Sequence, residues 1–253
     1  MLNIRPSAAE QTSEVFEESP RQGREGNLAW IERNLSGDDE CVTLLLVGGV
    51  DPCHFRLRVS QSHLRRDMTP SHWSHAALLG VSAGGIGATP VHEIALDPPG
   101  GFGYPAPVNG VQTGRLDHYR ERRLFPNLAL VRVPVALAEV EGALERFRSQ
   151  RVVLDGPELI LVWLAYLWGV GRSGNPLLEG NGIPSAAMLE VVMGAAGIDL
   201  TPGLESRASC PEAIWQAARW WHSYYDASQR SPLGGRWTAE HFLVGEYDPS
   251  RRR

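Results

Sequence analysis

The chain has 253 residues, of which 43% are hydrophobic and 21% are charged, and its formal net charge is −5. This balance is typical of a globular protein and excludes wholesale disorder, while the negative net charge gives no electrostatic basis for binding nucleic acid. Three widely spaced cysteines, Cys41, Cys53 and Cys210, form neither a disulfide framework nor a zinc pattern. We therefore expect a reducing, cytoplasmic setting, and neither a metal nor another cofactor.

The distribution of polar and apolar residues along the chain predicts a mobile tail at 1–25, a single domain at 26–245 and a second tail at 246–253. The first tail is polar and aperiodic, and no signal-sequence pattern opens it. Apolar runs and alternating patterns predict five strands within the domain. These strands are expected at 42–47, 55–59, 74–81, 91–96 and 128–135.

Helical spacing begins at residue 136, and predicted helices cover 136–148, 157–169, 184–197 and 211–225. The apolar run at 159–170 is too short to span a membrane, so we expect a helix that is buried on all sides. A long irregular segment at 97–127 separates the strands and is a candidate loop over a site. Because strands come first and helices second, the order favours an α+β fold.

Three residues indicate acyl-transfer chemistry. His75 opens an apolar strand in Ser-His-Ala-Ala-Leu-Leu, Glu93 stands on the next strand, and Ser185 lies at the start of the helix after Gly-Ile-Pro. A carboxylate can orient an imidazole by accepting its N–H, and a nucleophile in the first helical turn benefits from unpaired backbone N–H groups. Structural roles remain open for each: a helix cap for Ser185, a strand-end histidine for His75 and an exposed carboxylate for Glu93.

Two rival sites are less favoured. Cys53 next to His54 supplies a thiol and an imidazole, but the predicted strand would point the two side chains to opposite faces, with no helix to activate the thiol. The four histidines His63, His72, His75 and His92 lack the usual ligand spacing for a metal site. The glycine-rich turn at 83–87 precedes no helix and is not a phosphate-binding loop.

His75, Glu93 and Ser185 follow one another in this order along the chain. Further along lie Gly-Ile-Asp-Leu-Thr-Pro-Gly at 197–203 and a later Pro-Glu-Ala-Ile-Trp. With these features, the chain resembles the circularly permuted papain-like superfamily over residues 40–222. This group includes YiiX-like and lecithin–retinol acyltransferase-like relatives of the NlpC-type peptidases. The resemblance implies a small antiparallel sheet packed against several helices. It also implies a cysteine-peptidase-like hydrolase or acyltransferase for amide or ester bonds, in which His75 is the base, Glu93 its orienter and Ser185 stands at the cysteine nucleophile position.

Serine in place of cysteine predicts an inactive form, whether engineered or natural, and a working serine nucleophile is the less favoured explanation. A peptide, a protein tail or an acyl group is the expected substrate, with Trp73, His92 and Tyr104 as candidate groove residues. The alternative is a catalytically inactive scaffold that binds a protein partner. Its candidate anchors are the aromatic residues of the last predicted helix, Trp215, Trp220, Trp221, Tyr224 and Tyr225.

Overall fold

The computed structural model describes residues 16–35, 40–82, 84–97, 104–224 and 233–240. Seven strands within these ranges form one sheet with the order β1-β7-β6-β2-β3-β4-β5. All neighbouring strands are antiparallel except β1 and β7, which are parallel. The strands are β1 (Phe16–Glu18), β2 (Val42–Gly48), β3 (His75–Leu79), β4 (Pro90–Glu93), β5 (Gln112–Arg115), β6 (Asn127–Val133) and β7 (Gly234–Thr238).

Six α-helices accompany the sheet in the described part of the chain, which confirms the predicted α+β class. They are α1 (Asn27–Asn34), α2 (Pro52–Ser60), α3 (Leu137–Ser149), α4 (Gly156–Trp168), α5 (Pro184–Ala195) and α6 (Pro211–Tyr224). The sheet is larger than the small antiparallel sheet expected and contains one parallel pair. Strand β1 lies within the predicted first tail, whereas residues 1–15 and the predicted tail at 246–253 lie outside the described residues.

Both faces of the central strands are buried, and strand alternation divides their side chains between two cores. The larger core holds Leu44, Leu46, Ala76 and Leu78 together with side chains of α3, α4, α5 and α6. The smaller core lies on the opposite face, against α1 and the short 3-10 helix Leu116–Tyr119. Its residues include Leu45, Val47, Ala77, Leu79, Trp30 and Tyr119. A side chain's position along β3 therefore decides which core it enters.

The predicted strand at 55–59 is wrong, because these residues lie in α2. Asp51 caps this helix by accepting hydrogen bonds from the backbone N–H groups of Cys53 and His54, and Pro52 occupies the first helical turn. The alternating pattern assigned Arg58 to a solvent-exposed face of a strand. Its side chain is instead buried and donates to the carbonyl of Ser71 at 2.6 Å. The Asp-Pro pair was the local helix signal, and it outweighs the apolar alternation.

Helix α4 is present as predicted, but the expectation that it is buried on all sides is wrong. Its Leu159, Ile160 and Trp163 side chains enter the larger core, whereas Leu161 is 67% exposed and Trp168 is 59% exposed. One face of this apolar helix therefore faces solvent in the part of the chain that the structure describes. None of the helices in that part is long and apolar enough to cross a bilayer.

A buried carboxyl group holds α5 to the segment that follows it. Glu190 accepts a hydrogen bond from the backbone N–H of Thr201 at 2.9 Å, and the Ser209 hydroxyl lies 3.4 Å from its other carboxyl oxygen. Burial raises the pKa of Glu190 from 4.5 to about 7. The native state therefore retains a proton that the unfolded chain releases between these two values.

The free energy of unfolding is expected to fall as the pH rises through this window. Relative to the Glu190→Gln variant, which does not titrate there, the natural chain should lose roughly 2 to 3 kcal/mol of stability between about pH 5 and about pH 8. Urea unfolding of both proteins across the pH range measures this difference. A difference that stays constant with pH would show that Glu190 does not hold an extra proton in the native state.

Candidate functional site

His75, Glu93 and Tyr119 form a buried hydrogen-bonded group. The Nε2 atom of His75 lies 2.8 Å from Oε2 of Glu93, and the Tyr119 hydroxyl donates to the same carboxylate oxygen at 2.6 Å. The imidazole also stacks on the Tyr119 ring, with 6.2 Å between the ring centroids. Burial and the Glu93 charge raise the pKa of Tyr119 well above its usual value, so this phenol remains a proton donor.

Strand register brings the histidine and the carboxylate together. His75 lies opposite Val47 and shares its face with Leu79, which is paired with Val91 on β4. Glu93 shares the face of Val91, so both polar side chains point into the smaller core. The start of β3 is fixed to β2 because Ser74 donates its backbone N–H to Val47, while its hydroxyl oxygen accepts the N–H of Gly49. The imidazole orientation is thus determined by the sheet itself.

Ser185 lies on the other side of β3, because α5 packs in the larger core. Its side chain is completely buried; the hydroxyl donates to the carbonyl of Ala76 and accepts from the N–H of Ile94 at 3.4 Å. Ser185 is the second residue of α5 and does not cap the helix. The structure therefore brings His75 and Glu93 together and does not bring Ser185 to them.

A second polar group, formed by Asp51, His54 and Asp97, adjoins the first. The Nδ1 atom of His54 lies 2.5 Å from Oδ2 of Asp51 and 3.8 Å from Oδ2 of Asp97. Burial opposes the charged form of His54, but Asp51, Asp97 and Glu93 outweigh this effect and raise the pKa of His54. The contribution of Glu93 shows that the two polar groups lie within electrostatic reach of each other.

Cys53 is not activated, although it lies in the first turn of α2 and not on a strand as predicted. Its side chain packs against the larger core. Burial, together with the charges of Asp97 and Asp51, raises the pKa of Cys53 to about 12. A thiol held in its neutral form is a poor nucleophile, so the helix N-terminus does not supply a thiolate here.

The predicted groove residues are dispersed. Trp73 is completely buried and packs against Trp215, with 5.2 Å between the ring centroids, so it cannot line a groove. His92 faces away from His75, and its Nδ1 lies 3.1 Å from the Thr113 hydroxyl. Tyr104 is half-buried and donates its hydroxyl to the carbonyl of Leu96 at 2.6 Å.

The aromatic residues of the last helix are also divided. Trp215 belongs to the larger core, Trp220 is exposed and Trp221 is half-buried. Tyr224 is the last residue of α6, and Tyr225 lies outside the described residues. These positions leave Trp220 as the most accessible of the three tryptophans on this helix.

Sequence reasoning missed three polar residues of the site, Asp51, Asp97 and Tyr119, and considered His54 only as a neighbour of Cys53. Asp51 carried a usable signal, because Asp followed by Pro is typical of a helix start. Once α2 is a helix, His54 comes within one turn of Asp51. Asp97 and Tyr119 belong to the predicted irregular segment, where no periodic pattern indicates which side chains point inward.

Comparisons with known proteins provide no relative. No protein-family model, curated protein or solved structure matches this chain.

The Glu93 carboxylate is expected to be the acceptor on which the buried group depends. Glu93→Ala leaves the buried Tyr119 hydroxyl and His75 without this partner, so the free energy of unfolding should fall by about 2 to 4 kcal/mol. Glu93→Gln retains one oxygen that can accept both bonds and should cost about 1 kcal/mol. Urea unfolding measures both variants, with the exposed Glu139→Ala as the control. An equal, small effect in all three variants would contradict this assignment.

Proposed function

We propose that this chain is a member of the thiol-hydrolase lineage that performs no acyl transfer and acts as a protein-binding scaffold. The observation that carries the proposal is the position of Ser185. A nucleophile must lie within hydrogen-bond reach of its base and remain open to substrate. Ser185 is fully buried, and both of its hydrogen bonds join backbone groups of the sheet.

The Ser185 hydroxyl has a structural role, as a hydrogen-bonding bridge, that accounts for a serine at this position. The pairing of Leu78 with His92, extended by two residues, places Ala76 opposite Ile94, where β3 and β4 no longer pair directly. Ser185 bridges the Ala76 carbonyl and the Ile94 N–H across this gap. A hydroxyl both donates and accepts well, whereas a thiol does both weakly, so serine fits this bridge better than cysteine.

Under this proposal His75 is a former base that no nucleophile accompanies in the part of the chain that the structure describes. Glu93 engages Nε2 of His75, and Nδ1 has no hydrogen-bond partner among the described residues. This arrangement retains the imidazole and its orienter, which the resemblance to permuted papain-like enzymes implies. Without a nucleophile, the buried group does not catalyse acyl transfer but stabilises the sheet and the smaller core.

The exposed face of α4 supports a binding role. Leu161 and Trp168 lie seven residues apart on one side of the helix, and both are mostly exposed. Exposed apolar patches are typical of protein interaction surfaces, and these two large side chains would supply the apolar part of such a patch. Glu158 is the single charged residue of α4. Because membrane-surface helices carry basic residues on their polar face, a protein partner fits this surface better than a lipid bilayer.

A thiol introduced by Ser185→Cys tests the proposal. Because residue 185 is buried and separated from His75, this thiol should react with iodoacetamide more slowly than free cysteine in the native protein, and quickly only after unfolding. Peptide-resolved mass spectrometry distinguishes it from the three natural cysteines.

The matched control adds His75→Ala to Ser185→Cys, and circular dichroism shows whether both variants are folded. The alkylation rate at position 185 should stay below that of free cysteine with or without His75. A rate above that of free cysteine that falls when His75 is removed would establish a working thiol site and overturn the proposal.

A further inference from the structure

Asp51, His54 and Asp97 present three metal-ligand atoms to one another outside the His75–Glu93–Tyr119 group. These atoms all lie within 4.8 Å of each other, and the imidazole Nδ1 lies 2.5 Å from an oxygen of Asp51 and 3.8 Å from an oxygen of Asp97. Ligand atoms about 2.1 Å from a shared ion are separated by about 3 to 3.5 Å. Small side-chain rotations would therefore bring the three atoms into a coordination shell.

The local backbone holds two of these ligands in place. One carboxylate oxygen of Asp51 accepts the N–H groups of Cys53 and His54, which leaves the other oxygen directed at the imidazole. The His54 ring is buried against the edge of Phe125, with 5.5 Å between the ring centroids. Gly49 also lies against the ring, and an added Cβ there would be 2.5 Å from it. Supporting contacts of this kind orient ligands in metal sites.

The charges of the region favour a bound cation. The carboxylates of Asp51, Asp97 and Glu93 all lie within electrostatic reach of the His54 imidazole. In the part of the chain that the structure describes, their ion-pair partners within 4.0 Å are the imidazoles of His54 and His75, and no arginine pairs with them. Asp97 is about half exposed, so the group is open to solvent on one side.

We propose that Asp51, His54 and Asp97 bind one divalent transition-metal ion, with water in its remaining coordination positions. One imidazole nitrogen and two carboxylate oxygens are a donor set that suits zinc, manganese or ferrous iron. The ion replaces the direct contact between His54 and Asp51 and neutralises the excess negative charge. This site goes beyond the scaffold role and does not depend on it, because none of its ligands takes part in the Ser185 bridge.

Isothermal titration of the full, chelator-treated chain with Zn²⁺ and with Mn²⁺ tests the site. At least one of the two ions should bind with a stoichiometry of one, and Asp97→Asn should weaken that binding by about tenfold or more. Asp97 is partly exposed and caps none of the helices that the structure describes, so this variant is expected to fold. The matched control is Asp67→Asn, which removes an exposed carboxylate elsewhere and should leave the affinity unchanged.

Asp51→Asn supplies a second measurement, since its side chain still accepts the capping hydrogen bonds through its amide oxygen. It should also weaken binding, and circular dichroism shows whether the variant is folded. Two results would overturn the site: no saturable binding of either ion up to about 1 mM, or binding that Asp97→Asn and Asp67→Asn affect equally. Either result would leave the reactivity expected of the Ser185→Cys thiol untouched.

Discussion

The alternation of side chains along β3 is the constraint on which this molecule depends. Consecutive residues of a strand point to opposite faces of the sheet, so His75 and Ala76 cannot serve the same side. His75 enters the smaller core and meets Glu93 and Tyr119, whereas Ala76 belongs to the larger core. Helix α5 packs in that larger core, so Ser185 reaches the backbone of β3 and not the imidazole.

This separation gives the two sides of the sheet different properties. One side combines helices around an apolar core, with the Ser185 hydroxyl completing the backbone hydrogen bonds where β3 and β4 diverge. The other side holds the buried His75–Glu93–Tyr119 group, and the Asp51–His54–Asp97 group adjoins it at the start of α2. A buried hydroxyl that satisfies backbone groups contributes to stability, while the half-exposed Asp97 leaves the second polar group open to solvent. The Ser185 bridge and the His75–Glu93–Tyr119 group thereby lie on opposite faces of β3.

Much of the fold follows from the sequence because buried strands and amphipathic helices leave clear periodic patterns. The apolar strand β2 and helices α3, α4 and α5 all lie close to their predicted positions. Helix α2 was missed because Phe55, Leu57 and Val59 alternate with arginines whose side chains are bonded within the fold. Strands β1, β5 and β7 are three to five residues long, and their pairing depends on partners distant in sequence.

The candidate site was predictable only where strand periodicity alone determines geometry. The strand pattern placed Glu93 on the strand that follows His75, and the two side chains meet. The position of Ser185 was not predictable in this way, because local sequence shows where a helix starts and not which face of a sheet it covers. Asp97 meets His54 through the path of a long connection, which carries no periodic signal.

Disulfide trapping between positions 75 and 185 tests the central claim most directly. In the double variant His75→Cys and Ser185→Cys, the side chain at position 75 points into the smaller core, whereas the one at position 185 lies on the other side of β3, in the larger core. A disulfide requires Cβ atoms about 4 Å apart. Under oxidising conditions in the native state, the account predicts no bond between positions 75 and 185 in peptide maps. Efficient formation of that disulfide in a folded protein would show that the two residues share one site, and would contradict the account.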